Sequence, residues 1–251
     1  MKVHEASDWC IEVVKNSLVG YLGDAHFDRF ALMNHGKASA IIRWDGYRRL
    51  TTIEHLLEAI ISRRVPGDLV EAGVFKGGVG ILMQAILRKH KLDQIRRVWN
   101  FDSFNGYPHV NVSRYPQDEE WKDVWFEEKF WDQGFINTSL KQVKDNFATH
   151  GMLNGNVHFV QGWFAHTLPR AEVNRIAFLH IDADLYSSIT QALEYLYPKL
   201  SPGGVVLLDD FKFPASYLAI AGFRQRYGIK TKWRFAETLD PIMYWFKDDD
   251  S

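Results

Sequence analysis

The stretch LHIDADLYSS, Leu179 to Ser188, sets two carboxylates, Asp182 and Asp184, directly behind a short apolar run. A second pair, Asp209 and Asp210, ends another apolar run, GVVLLDDF. A buried strand that ends in two acids brings like charges together, which raises at least one pKa unless a cation or a hydrogen-bond donor answers them. If the two runs are adjacent strands, Asp182, Asp209 and Asp210 meet within bonding range of one ion, and a hard divalent cation relieves the repulsion. Mg²⁺ suits such a set, because it takes a few carboxylates and keeps water or substrate oxygens in its other octahedral positions. The competing reading has these acids capping helices or pairing in solvent with Lys199 or Lys212. No cluster of His and Cys offers a zinc site, and Cys10, the only cysteine, reads as a small buried apolar residue.

A second acidic constellation lies earlier. Glu71 ends the apolar run DLVEA and is followed by AGVFKGG, where Gly73, Gly77 and Gly78 let the backbone turn tightly and approach a ligand at the next helix N-terminus. The spacing departs from G-x-G-x-x-G: Phe75 replaces the glycine that close approach to a pyrophosphate needs, which disfavours a dinucleotide. Asp102 ends the next run, VWNFD, where an acid accepts hydrogen bonds from the ribose hydroxyls of an adenosine ligand. Two acids at consecutive strand ends suit a positively charged nucleoside, and S-adenosylmethionine, with its ammonium, sulfonium and ribose diol, meets that description. Taken singly, either acid could equally cap the following helix.

The elements that must position these residues follow from periodicity. From Gly67 onward, strand-length apolar runs (DLVEAGV, RRVWNFD, VHFVQGW, IAFLHID, GVVLLDD) alternate with helical periods (VGILMQAILRKH, SSITQALEYLYPKL), the pattern of βαβ units and a mostly parallel sheet. TKWRFAE and IMYWFK close the chain as an antiparallel pair at one side, joined by TLDP, and SPGG reads as a turn before the GVVLLDD strand. His180, inside IAFLHID, reads as a hydrogen-bonded core residue; His109 and His166 fall in loops near the strand ends. The N-terminal segment, residues 1–66, is expected to be helical: DWCIEVVKNSLVGYL, then TTIEHLLEAIISRR, where Thr51 and Glu54 have capping-box spacing and Ile53, Leu56, Leu57, Ile60 and Ile61 share a face. The interval 105–154 interrupts the alternation and carries Tyr107, Tyr115, Trp121, Trp125, Phe126, Phe130 and Trp131. A long insertion at a βα junction reads as a lid or binding loop, the alternative being a solvated helix whose aromatics dock on the core.

The 251 residues, 46% of them hydrophobic, suit one domain spanning 1–251, with residues 67–251 as its core. Thirty basic and thirty-one acidic residues leave a formal charge of -1, which gives nucleic acid or an anionic membrane no global field to follow. The opening MKVHEASDWC lacks an apolar signal core and no run reaches the roughly 18 apolar residues of a membrane span, so a soluble, cytoplasmic protein is expected.

The blocks PGDLVEAGVFKGG, VWNFDSFNGYP, SRYP, QGWFAHTLP, HIDADLYSS and YPKLSPGGVVLLDDF stand in an order that resembles the macrocin O-methyltransferase family, from about Arg48 to the C-terminus. The resemblance implies a Rossmann-like, doubly wound α/β methyltransferase fold with a helical N-terminal segment and a lid. It implies Mg²⁺ at Asp182, Asp209 and Asp210, and S-adenosylmethionine at Glu71, Gly73, Gly77 and Asp102. Ser103 would stand beside the ribose, and Gln161, Gly162 and Trp163 would border the adenine. Asp184 carries over as general base, a role that Asp182 could exchange with it. The implied activity is O-methylation of a small natural product, most directly a glycoside sugar in antibiotic-type biosynthesis, by an enzyme that often works as a homo-oligomer. A catechol or phenol acceptor is the enzymatic alternative, and a Mg²⁺-dependent phosphoryl hydrolase built on D-x-D is the alternative from another class.

Overall fold

Five of the apolar runs lie side by side, because a strand that is apolar on successive residues must be covered on both faces, and a parallel sheet between helices does that. The computed structural model of the chain describes residues 38–121, 138–211, 213–236 and 242–248. Helix α1 (Ala38–Ser62) leads into β1 (Asp68–Ala72), α2 (Gly78–Lys89) and β2 (Val98–Asp102). Then come a 3₁₀ turn (Pro116–Trp121), α3 (Leu140–Thr149), β3 (Val157–Gln161), the single turn α4 (Phe164–Thr167) and β4 (Ile176–Ile181). The chain continues through α5 (Tyr186–Leu196), β5 (Leu200–Leu208), α6 (Pro214–Arg226), β6 (Arg234–Phe235) and β7 (Met243–Phe246).

The sheet order is β3-β2-β1-β4-β5-β7-β6. Strands β1 to β5 run parallel, and β7 is antiparallel to both β5 and β6. The chain winds outward from β1 to β3 and then returns to β4, so the strand order reverses between β1 and β4, where a ligand crevice opens at the carboxyl ends. Register brings those ends level: Ala72 pairs with both Phe101 and Ile181, and Ile181 with Leu208. Gly73, Asp102, Asp182 and Asp209 therefore leave the sheet at one height. Every residue of β4 is buried, and two apolar clusters cover the faces, one built with α1, α2 and α3, the other with α5 and α6.

Three expectations need correction. Helix α1 does not begin at Thr51; it spans Ala38–Ser62, and Thr52 lies mid-helix with its hydroxyl donating to the Arg48 carbonyl at 3.1 Å. The capping-box spacing misled because the apolar stripe through Ile53, Leu57 and Ile60 buries the helix whether or not it is capped. SPGG lies within β5, where the pairing with β4 slips between Ile176 and Phe178 and Gly203 takes φ 75°. The interval 105–154 is not one lid: α3 belongs to the core, with Val143 and Phe147 fully buried and Phe147 edge-on to Phe159 at 5.1 Å. The helix DWCIEVVKNSLVGYL, Cys10, Trp125 to Trp131, Lys212 and all of TLDP lie outside the described residues.

The 3₁₀ turn is docked rather than solvated. Asp118 is fully buried, and its Oδ2 accepts the Ser187 amide at 3.2 Å in the first turn of α5, a helix whose own N-cap, Leu185, offers no side-chain bond. Asp118→Ala should remove this cap from a distance and cost about 1 kcal/mol, the usual loss of a capping carboxylate, read from urea denaturation with an unchanged m-value. Among the described residues no helix is long and apolar enough to cross a membrane.

Candidate active site

At the carboxyl end of β1, Gly73 has φ 93° and donates its amide to Phe101 at 2.9 Å. A Cβ there would fall 1.7 Å from the Asp182 carbonyl oxygen, so only glycine lets the tips of β1 and β4 touch. Gly77, φ 88°, caps α2 and faces Val143 and Phe147. Asp102 anchors the loop between them: Oδ2 accepts the Val74 amide at 2.7 Å and the Phe75 amide at 3.4 Å, and Oδ1 accepts the Phe104 amide at 2.7 Å. Burial pushes its carboxyl up, against these donors. Ser103 closes the next turn, donating to the Gly106 carbonyl and accepting the Asn105 amide at 3.0 Å. Gln161 pairs in register with Asp102; Gly162, φ 138°, donates to the Asp102 carbonyl at 2.9 Å, and Trp163 starts α4. Glu71, Asp102 and Gln161 to Trp163 therefore stand at three neighbouring strand ends.

The Glu71 side chain is buried, with Oε1 3.4 Å from His180 Nδ1. Its Oε2 has no hydrogen-bond partner of good geometry among the described residues, nor has Asn100 Oδ1 on the neighbouring strand. Burial raises Glu71 above the usual carboxylate range, against the pull of His180. The other ring nitrogen of His180, Nε2, lies 3.5 Å from Asp209 Oδ2. Although burial alone would lower it, the two flanking carboxylates push His180 up to about 9. Its ring is wedged between the two acids, which favour the protonated form.

The four carboxylates converge at the ends of β4 and β5. Burial, followed by Asp209, Asp210 and Asp184, drives Asp182 well above the ordinary range; burial, followed by Asp184 and Asp209, does the same to Asp210, which also shares a hydrogen bond with Asp182. Such a pair takes either a shared proton or a cation. Asp209 differs: burial would raise it, but the Arg49 guanidinium on its Oδ1 and His180 outweigh that cost and hold it below the usual range. Asp184 sits in the turn after β4 with φ 56°, its amide donating to Asp210 Oδ2 at 3.2 Å and its carboxylate accepting the Tyr107 hydroxyl. His180, Asp182 and Asp209 each offer a ligand atom within 4.8 Å of the others'.

The sequence pattern of the macrocin O-methyltransferase (TylF) family matches residues 37–247. The chain belongs to this family. Among its relatives, an 8-demethyl-8-(2,3-dimethoxy-alpha-L-rhamnosyl)-tetracenomycin-C 4'-O-methyltransferase of Streptomyces olivaceus is 44% identical over 184 residues, 73% of this chain and 68% of the relative. A mycinamicin III 3''-O-methyltransferase of Micromonospora griseorubida is 37% identical over 184 residues, 73% of this chain and 70% of the relative. Among solved structures, the O-methyltransferase NovP superposes with TM-score 0.79 at 32% identity, covering 98% of this chain and 100% of that one. The chain is a methyltransferase with the Rossmann-like fold of its family, and S-adenosylmethionine is its methyl donor. The phosphoryl-hydrolase alternative falls with that membership.

Two residues of this methyltransferase's site escaped the sequence. Arg49 answers Asp209; Lys199, which the competing reading paired with these acids, donates to the Ala171 carbonyl at 2.9 Å. The signal was present, since Arg49 precedes Ile53, Leu56, Leu57 and Ile60 on the buried stripe of α1, and an arginine there needs an acid. Tyr107 gave no such signal: it read as one of many aromatics in the insertion. His180, expected as a core histidine, is buried as foreseen but bridges the two ends of the site.

Proposed function

We propose that this methyltransferase carries a methyl group from S-adenosylmethionine to a sugar hydroxyl of a glycosylated natural product, with Mg²⁺ held by Asp182, Asp209 and Asp210 and with Asp184 as general base. The observation that carries the reading is the convergence of four carboxylates on the ends of β4 and β5, with Asp182 and Asp210 both pushed far above their ordinary range. An oxygen-only donor set of this kind fits a hard divalent ion. When bound, Mg²⁺ supplies Lewis acidity that makes a sugar hydroxyl, a weak acid, easier to deprotonate. The sugar acceptor is supported by relatives named for O-methylation of a rhamnosyl tetracenomycin and of mycinamicin III.

The chain's own residues then have distinct tasks. Glu71 offers the donor's ammonium its Oε2, which has no hydrogen bond of good geometry among the described residues, and Asp102 holds the glycine loop and faces the ribose. Ser103, Gln161, Gly162 and Trp163 line the adenosine end. Asp184 takes the acceptor's hydroxyl proton; the acceptor oxygen bonds to the methyl carbon as the carbon–sulfur bond breaks and its electron pair returns to sulfur. The products are a methyl ether and S-adenosylhomocysteine. Holding oxygen, carbon and sulfur in line is worth on the order of 7 to 11 kcal/mol of the barrier.

The test is transfer from methyl-labelled S-adenosylmethionine to a panel of glycosides with free sugar hydroxyls, with and without chelator. Methylation of a glycoside, lost in chelator and restored by Mg²⁺, is the expected outcome. Asp209→Asn should weaken Mg²⁺ binding in calorimetry while S-adenosylhomocysteine binds as before. Full transfer in chelator, undiminished by Asp209→Asn, would refute the metal assignment, and transfer only to catechols would refute the sugar.

A further inference from the structure

Asp184 stands in a turn held from three sides. Its amide is taken by Asp210 beyond β5, and its carbonyl accepts the Ser216 hydroxyl of α6 at 2.8 Å. These contacts fix the main chain at φ 56°, a conformation Asp tolerates better than most residues. They are made by main-chain atoms, and the terminal torsion of Asp, broad and roughly two-fold, answers to what the carboxylate itself touches. The third contact is made there. The Tyr107 hydroxyl donates to Asp184 Oδ2 from 77 residues earlier in the chain, out of the segment that leaves β2. That segment grips the same region twice more, through Asp118 on the Ser187 amide and through the Tyr115 ring, whose centroid lies 6.3 Å from that of Tyr186.

We propose that Tyr107 is a positioning residue for methyl transfer: its hydroxyl sets the orientation of the Asp184 carboxylate, so that the aim of the base depends on how the segment after β2 is docked. The inference rests on the reading of Asp184 as the base. Tyr107 is not itself a base. Burial, followed by Asp184, Asp210 and Asp182, pushes its hydroxyl well above the ordinary value, so it keeps its proton. The acceptor's proton passes to Asp184, and Tyr107 neither gains nor loses one. Its contribution is directional, and misplacing a reacting group by an ångström can cost ~10²-fold in rate.

The experiment uses the full chain and the best glycoside from the acceptor panel. Tyr107→Phe keeps the ring and deletes the donor, and should lower kcat by roughly 10- to 100-fold with KM for the acceptor and affinity for S-adenosylhomocysteine unchanged. In an Asp184→Asn background the same change should add no further loss, because both act through one group. Installing 3-fluorotyrosine at position 107, which preserves the hydroxyl, should keep kcat near that of the native enzyme. A native kcat in Tyr107→Phe overturns the proposal, as does a loss that multiplies in full on Asp184→Asn, or a fluorotyrosine enzyme as impaired as Tyr107→Phe. Full activity in Asp184→Asn alone refutes instead the reading of the base on which the proposal stands.

Discussion

Asp184→Asn should depress kcat by ~10² to 10⁴, the usual range for loss of a general base, while Mg²⁺ and S-adenosylhomocysteine bind as they do to the native enzyme. The substitution is nearly isosteric and the surroundings accept it. Asn tolerates the left-handed φ of 56° as well as Asp does, and its amide oxygen can still receive the Tyr107 hydroxyl. The contacts that hold the turn, from the Asp184 amide to Asp210 and from Ser216 to the Asp184 carbonyl, are made by main-chain atoms and survive. What is lost is an oxygen that can take a proton. Single-turnover transfer to the glycoside isolates that step from product release. An unchanged single-turnover rate would move the base to Asp182, whose raised pKa shows how strongly the carboxylates are coupled.

The acids could be placed from sequence because the strands that carry them are buried on both faces, so each is a continuous apolar run with a sharp polar end. Asp102, Asp182 and Asp209 stand at such ends, and once the runs are ordered by a parallel fold their carboxylates must approach one another. Which residues partner the acidic cluster was harder to read, since they come from elements that reach the site only in three dimensions. Arg49 arrives from α1, and Tyr107 from the start of an insertion whose aromatic composition suits a lid and a core equally. Helix α3 shows the same ambiguity from the other side: Val143 and Phe147 are spaced one helical turn apart, but charged neighbours hid their burial. The left-handed turn at Asp184 was also invisible, because no glycine announces it. It is imposed by Asp210 and Ser216, which over-determine the backbone locally.

Gly73→Ala should cripple the enzyme more broadly than any single acid, by separating the two halves of the site. The added methyl carbon would sit 1.7 Å from the Asp182 carbonyl oxygen and 2.7 Å from its carbon, both main-chain atoms that no rotamer change can clear. Neither strand end is free to yield: the Asp182 amide donates to the Ala72 carbonyl at 2.9 Å and the Gly73 amide to Phe101 at 2.9 Å. Accommodation therefore means parting β1 from β4 at the crevice, in addition to holding an alanine at φ 93°. The strained backbone alone costs on the order of 1 to 3 kcal/mol. With the clash, the total should exceed about 4 kcal/mol, a range reached only by severe packing or backbone faults. Gly151→Ala separates the two contributions: Gly151 has φ 65° but nothing within 4 Å of its would-be Cβ, so it should lose only about 1 kcal/mol. Urea denaturation of both variants, with calorimetry of S-adenosylhomocysteine and Mg²⁺, makes the comparison. Because Gly73 begins the glycine loop proposed to hold the cofactor and touches the first residue of the acidic cluster, both ligands should be lost together in whatever Gly73→Ala protein folds. Retention of either ligand at native affinity would mean that the ends of β1 and β4 move independently, and that the cofactor and metal sites are not built on one shared contact.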